Sequence, residues 1–180
     1  MPDLYIDLLR HGAVEGPPAL YGRTDVALAG AGFEQMQGAP LAADYALIVS
    51  SPRRRCLDFA RQVAARRGVP LEIDAGLAEM DFGLWDGVPF APDAPHWEAM
   101  QRFWQAPALQ GPPGGESLDG FRARVMAAFR DRVRHALAAR SGQVRERPLG
   151  ATEGSQLWLV HAGVIRAVLA EVLGADFSVP

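Results

Sequence analysis

Two short apolar runs at opposite ends of the chain stop in the same way. Leu4, Ile6, Leu8 and Leu9, broken by Asp7, lead into Arg10-His11-Gly12, and Leu157-Trp158-Leu159-Val160 leads into His161-Ala162-Gly163. Runs of this length read as strands. After the second comes a helical pattern at Val164, Ile165, Val168, Leu169, Val172 and Leu173. Two parallel strands of an α/β sheet carry their carboxyl ends to one rim, where sites in such sheets collect. Taken singly, Arg-His-Gly is a common tripeptide and His161 reads as a half-buried core histidine. At matching places on one rim, the two histidines point to a single shared site, with Arg10 marking it as a site for an anion.

The intervening sequence supplies the other layers. Ala13–Leu28 is rich in Gly and Pro and reads as a loop following directly from the site, with Tyr21, Arg23 and Asp25 as pocket candidates. Ala29–Ala43 reads as a helix with Phe33, Met36 and Leu41 inward, ended or bent by Pro40. Ala46–Val49 is a second strand, and Ser50-Ser51-Pro52 starts a helix running to about Arg67, with Cys56, Phe59, Ala60 and Val63 on one face. Its first turn holds Arg53, Arg54 and Arg55, cations that oppose the helix macrodipole unless an anion sits nearby. Leu71-Glu72-Ile73 is a short strand. Leu77–Gly87 has neither helical nor strand period and suits a packed loop with a buried carboxylate. Glu79 or Asp81 is a general acid there if burial raises its pKa, and a turn or cap carboxylate otherwise.

Pro89–Pro95 is a connector, and His96–Gln105 a short helix whose Trp97, Met100, Phe103 and Trp104 are packing residues, with the Trp97–Trp104 segment a candidate homodimer surface. A Pro/Gly loop from Ala106 to Gly115 precedes Ser117, the N-cap of a long helix to about Ala139 with Leu118, Phe121, Val125, Phe129, Val133 and Leu137 inward. Arg140–Gln156 reads as an exposed loop, and the tail after Gly174 as frayed.

The 180 residues are expected to form one domain over 1–180. With 49% hydrophobic residues and a net charge of -3, nothing suggests a nucleic-acid or membrane surface. The lone Cys56 allows no disulfide within the chain and fits a reducing compartment. The first residues lack the basic and apolar regions of a signal peptide, and no apolar run approaches the roughly 20 residues of a membrane span. A soluble, cytoplasmic protein is expected. The four histidines lack a close metal-type spacing.

The passages now form a series. Arg10-His11-Gly12 follows the first strand. Gly22, Asp25 and Leu28 lead to Gly32, and Ser50-Ser51-Pro52-Arg53-Arg54-Arg55 starts a helix. Leu77-Ala78-Glu79 runs on to Phe82-Gly83-Leu84-Trp85-Asp86-Gly87, then Gly114-Gly115-Glu116-Ser117, and Val160-His161-Ala162-Gly163 closes the set. In this order and spacing the chain resembles the histidine phosphatase superfamily, in its phosphoglycerate-mutase-like branch, over about residues 4–173. The resemblance implies a three-layer α/β/α sandwich with a mostly parallel, mixed sheet. It also implies a metal-independent phosphohistidine mechanism needing no cofactor. His11 would be the nucleophile, Arg10, Arg55 and His161 would surround the phosphoryl group, and Glu79 would give a proton to the leaving oxygen. The Ala162 N–H would point at phosphate. Ala13, Pro17 and Phe59 stand where the family commonly has Glu, Asn and Thr. Tyr21, Gly22, Arg23 and Thr24 are candidates to replace the phosphate contact that the Asn usually makes.

Within the branch, mutases carry longer insertions and a longer tail, so the compact form here favours a phosphatase acting on a small phosphorylated metabolite. It is most similar to the α-ribazole phosphate phosphatases of cobalamin synthesis. A broad-specificity phosphatase, a phosphoglycerate-mutase-like enzyme and a non-catalytic phospholigand-binding module are the alternatives.

Overall fold

The computed structural model describes residues 4–42, 44–94, 96–107, 109–140 and 155–177. Four strands, β1 (Ile6–Arg10), β2 (Leu47–Ser50), β3 (Leu71–Ile73) and β4 (Gln156–Val160), form one sheet in the order β1-β4-β2-β3. The expectation of a mostly parallel sheet is met, and among the described strands every pairing is parallel. The first and last strands of the sequence are therefore neighbours. Leu8 lies beside Trp158 and Arg10 beside Val160, while Ser50 lies beside Leu159.

Side-chain alternation along the strands sorts the core into two faces. Leu9, Ile48, Leu157 and Leu159 point to one side, where they meet helices α1 (Gly30–Gln37) and α2 (Arg54–Arg67) through Met36, Cys56, Phe59 and Val63. Leu8, Val49, Trp158 and Val160 point to the other, against α4 (Leu118–Arg140) and α5 (Ala162–Leu173), with α3 (Trp97–Gln105) at the margin of that layer. Strands apolar on both faces are what a sheet covered on both sides requires. Trp158 is sealed in the second face with Phe129 edge-on at 5.9 Å. Truncating it to Ala is a loss of about 3–5 kcal/mol. Phe59, at the position expected to differ from the family's Thr, packs edge-on to Phe33 at 5.2 Å.

Several boundaries differ from the sequence expectations. α1 ends at Gln37, capped by Gly38, because the chain must leave the helix before Pro40. α2 begins at Arg54 with Arg53 as N-cap; its side chain makes no capping bond. Instead Asp25 reaches across from the first loop and accepts from the Arg54 N–H at 2.8 Å. The 77–87 passage contains single 3-10 turns at Gly83–Trp85 and, just before it, Ala75–Leu77. Ser117 does open α4, accepting from the Gly120 N–H at 3.0 Å. Leu137, expected inward, is exposed.

The tail is not frayed through residue 177: Phe177 is buried, stacks on Phe121 at 6.3 Å and accepts from Arg166 through its carbonyl. On α5 the inward stripe is Val164, Ala167 and Val168. Leu169, Val172 and Leu173 turn outward, 47%, 64% and 73% exposed, because they lie round the helix from that stripe. The expected 140–156 loop falls mostly outside the described residues. Trp97, Trp104 and Phe90 pack on one another with ring centroids 5.2–6.4 Å apart. No helix among the described residues is long and apolar enough to cross a membrane.

Candidate active site

Past the carboxyl ends of β1, β4 and β2 the chain carries His11, His161 and Ser51, tied side by side through their backbones. The His11 N–H donates to the Val160 carbonyl at 3.1 Å and the Ser51 N–H to the Leu159 carbonyl at 3.0 Å. The two imidazoles meet edge-on, centroids 5.2 Å apart. His11 Nδ1 lies 2.9 Å from the Gly12 carbonyl oxygen. A carbonyl only accepts, so Nδ1 carries the proton and the Nε2 lone pair of a neutral ring is left free. Burial, opposed by that bond and assisted by the charges of Arg55 and Arg10, lowers the His11 pKa from 6.5 to about 4. The ring is neutral across the physiological range.

His161 is fully buried, as the N-cap of α5, with Nε2 2.7 Å from Ser51 Oγ. Burial and the nearby Arg55 hold its pKa well below the usual imidazole value. Gly163, two residues on, lies against Glu79: the Gly163 N–H donates to Glu79 Oε2 at 3.2 Å, and the Met80 N–H donates to Oε1 at 3.0 Å. A Cβ at Gly163 would stand 2.4 Å from Oε1, so only glycine lets the carboxyl reach the α5 N-terminus. Burial raises the Glu79 pKa against the opposing pull of those N–H groups and of Arg55 and Arg10. Asp81, the other acid weighed there, instead accepts from the Gly83 N–H within its own turn. Gly12 is equally constrained: its Cβ would meet the Gly32 carbonyl oxygen at 2.1 Å, so the β1 end and α1 pack backbone to backbone.

Arg55 is fully buried. Its Nη1 donates to the Thr24 carbonyl at 3.1 Å and its Nη2 to the Tyr21 carbonyl at 2.5 Å, while Nε is buried without a partner among the described residues. Burial lowers its pKa, from a starting point so high that the guanidinium stays charged. Arg10, at the end of β1, is exposed. With Ala162, Ile165 and Leu169 it lines a groove of about 450 Å³ running down α5. Two imidazoles, two arginines, a carboxyl driven toward its protonated form and the N-terminus of α5 thus share one rim. Helix N-termini and arginines bind phosphate. Among the described residues no three side chains are grouped to ligate a metal.

The sequence profile of the histidine phosphatase superfamily, branch 1, matches residues 6–179. The chain belongs to that superfamily. Part of a bifunctional protein of Mycobacterium tuberculosis is 38% identical over 135 residues, covering 70% of this chain and 36% of that protein. The chain thus spans about a third of that relative. A glucosyl-3-phosphoglycerate phosphatase of Mycolicibacterium vanbaalenii is 31% identical over 178 residues, covering 93% of this chain and 73% of the relative. In fold the chain is similar to the α-ribazole phosphatase of Shigella flexneri, with a TM-score of 0.69 at 24% identity over 96% of this chain and 81% of the other.

This histidine phosphatase superfamily member places the expected residues in two groups. His11, His161, Arg10, Arg55, Glu79 and Ala162 gather on the rim. Tyr21, Gly22 and Arg23 serve the rim through their backbones. The Gly22, Arg23 and Thr24 N–H groups all donate to the Asp86 carboxylate at 2.8–2.9 Å. Burial would raise the Asp86 pKa, and a hydrogen bond from the Thr24 side chain together with these three holds it below the usual value. The loop amides are therefore spent on Asp86 and not free for an anion. The Tyr21 hydroxyl donates to the Pro17 carbonyl at 2.6 Å, and the Arg23 side chain turns to the Gly83 carbonyl and Asp81. Ser51 and Asp86 were not singled out from sequence as site residues. Asp86 is one acid in an irregular loop, whose partners lie some 60 residues away. Ser51 read as a helix-start serine, and only the pairing of β2 with β4 reveals what it touches.

Proposed function

We propose that this chain is a metal-independent phosphomonoester hydrolase that works through a phosphohistidine on His11, in a reducing, cytoplasmic setting. The observation that carries the reading is the pairing of a neutral His11, its Nδ1 committed to Gly12, with a desolvated Glu79 carboxyl on the same rim. Phosphoryl transfer needs a nucleophile with an open lone pair, positive charge for the phosphoryl oxygens and a proton for the leaving oxygen. His11 Nε2 attacks phosphorus and the ester P–O bond breaks. Arg10, Arg55, His161 and the Ala162 N–H hold the phosphoryl oxygens. Protonated Glu79 gives its proton to the departing alkoxide. A water then attacks the phosphohistidine, Glu79 takes its proton, and inorganic phosphate leaves with His11 restored.

The substrate class supported by the relatives' names is a small phosphorylated metabolite. Glucosyl-3-phosphoglycerate and α-ribazole phosphate head the panel to try. The test is hydrolysis of an aryl phosphate in EDTA by wild type and by His11→Ala. Metal-independent turnover in the wild type, reduced roughly 10⁴-fold or more in the variant, is expected. Full activity in the variant sinks the mechanism.

A further inference from the structure

Glu79 stands on a short segment, 78–82, between the 3-10 turns Ala75–Leu77 and Gly83–Trp85 and outside every described helix and strand. Its main-chain oxygens have no ladder to enter and take their partners from elsewhere. Arg124, half-buried on α4, supplies them. Its Nη1 donates to the Gly76 and Ala78 carbonyls, both at 3.0 Å, and its Nη2 to the Glu79 carbonyl at 3.5 Å. The remaining donors fork onto Glu116, Nε to Oε1 at 3.0 Å and Nη2 to Oε2 at 2.7 Å. A guanidinium has five N–H groups, and here each has an acceptor.

Glu116 is itself fixed to the far end of the same segment. Its N–H donates to the Asp81 carbonyl at 2.9 Å. Gly115 lies so close to that carbonyl that a Cβ would stand 2.4 Å from the oxygen. Residues 76–79 thus hang from Arg124 and residue 81 from Glu116, and the ion pair joins the two anchors across Glu79. The peptide between Glu79 and Met80 completes the path to the carboxyl. Its oxygen faces Arg124 Nη2, and its N–H donates to Glu79 Oε1 at 3.0 Å. A second path runs through Phe121. The Arg124 guanidinium lies over that ring, 5.2 Å from its centroid, and the ring edge abuts Gly163, whose N–H donates to Glu79 Oε2.

We propose that Arg124, oriented by Glu116, is the positioning residue for Glu79, acting on proton donation through the main chain and not by touching the phosphoryl group. The proposal rests on the reading of Glu79 as proton donor above. A donor displaced by about 1 Å costs roughly 10²-fold in rate, and a segment without secondary structure has no other frame to hold it that closely. The planar fork that grips Glu116 also sets where the other three donors point.

The test is kcat/KM, which reports transfer to His11, for phenyl phosphate and p-nitrophenyl phosphate. The two esters are similar in shape, but phenolate is the more basic leaving group and gains more from a proton. In Arg124→Met, checked as folded by its melting curve, the phenyl ester should lose roughly 10- to 100-fold and the nitrophenyl ester less than about threefold. Arg124→Lys, which keeps the charge without the fork, should fall between wild type and Arg124→Met. Glu116→Gln should move the ratio of the two esters the same way by a smaller amount. Equal losses on both esters, or no loss, overturn the proposal, because a merely structural role lowers both alike. If Arg124→Met does not fold, Glu116→Gln decides, and an unchanged ratio there overturns the proposal. Glu79→Gln, measured alongside, keeps the two readings apart. A leaving-group dependence that steepens in Glu79→Gln but not in Arg124→Met overturns the positioning role alone. One that is unchanged in Glu79→Gln overturns the proton-donor reading and the positioning role with it, as does a wild type that turns over neither ester.

Discussion

His11 and His161 close two parallel strands in matching places, yet their surroundings differ. His11 leads into a loop and binds a carbonyl through Nδ1. His161 caps a helix and binds a hydroxyl through Nε2. A carbonyl fixes the proton on its partner, whereas a hydroxyl both donates and accepts and leaves the proton's place adjustable. The first arrangement suits a nucleophile, which must keep one lone pair bare. The second suits a residue that holds an oxygen whose charge changes during the reaction. Near-identical sequence contexts thus suit different roles, and the difference lies in the hydrogen-bond partners, a carbonyl for His11 and, for His161, a hydroxyl with the Cys56 thiol 3.7–3.9 Å from its ring nitrogens.

The sharpest break in this comparison is unequal loss. His11→Asn should remove steady-state turnover, while His161→Asn should lower kcat roughly 10²- to 10³-fold and leave a measurable rate. Equal losses would mean that the two rings share one role. Next in size is Gly163→Ala. Its methyl group meets Glu79 Oε1, so kcat should drop by roughly 10² with esters that need a protonated leaving group, and less with aryl phosphates. A uniform drop across leaving groups would separate Glu79 from proton donation. Ser51→Ala should lower kcat by about tenfold, the worth of roughly one net hydrogen bond, and Ser51→Thr should restore most of it.

The smallest effect is on stability. The His11 pKa of about 4 lies below the ordinary 6.5, and His161 is shifted in the same direction. As pH falls from about 6.5 toward 4, the unfolded chain takes up protons that the folded chain refuses, so stability is lost through that window and is fully present above it. Calorimetric Tm values should decline there, and the decline should be shallower in His161→Asn.

Much of this rim was legible in the sequence because its residues sit at strand ends, where apolar runs stop abruptly at His11 and His161. The helix starting at Arg54 and the long α4 were legible from serine, proline and the 3.6-residue period. What was not legible depends on pairing across the sheet or between distant loops. The reach of Asp25 to the α2 N-terminus and the three amides on Asp86 leave no periodic trace. The outward Leu169, Val172 and Leu173 look like core residues to any count of apolar positions.

The segment between Tyr21 and Thr24 offers its carbonyls to the Arg55 cation and its amides to the Asp86 anion. Its peptide dipoles lie between opposite charges, so Asp86 reinforces Arg55 through the polarised backbone without direct contact and without neutralising it. Main-chain atoms make the contacts with Arg55, and those with Asp86 are joined by one from the Thr24 side chain. The Tyr21 and Arg23 side chains bind elsewhere, to the Pro17 carbonyl and to the Gly83 carbonyl and Asp81, so the buried cation is held by the course of the main chain and not by which side chains the loop carries at 21 and 23.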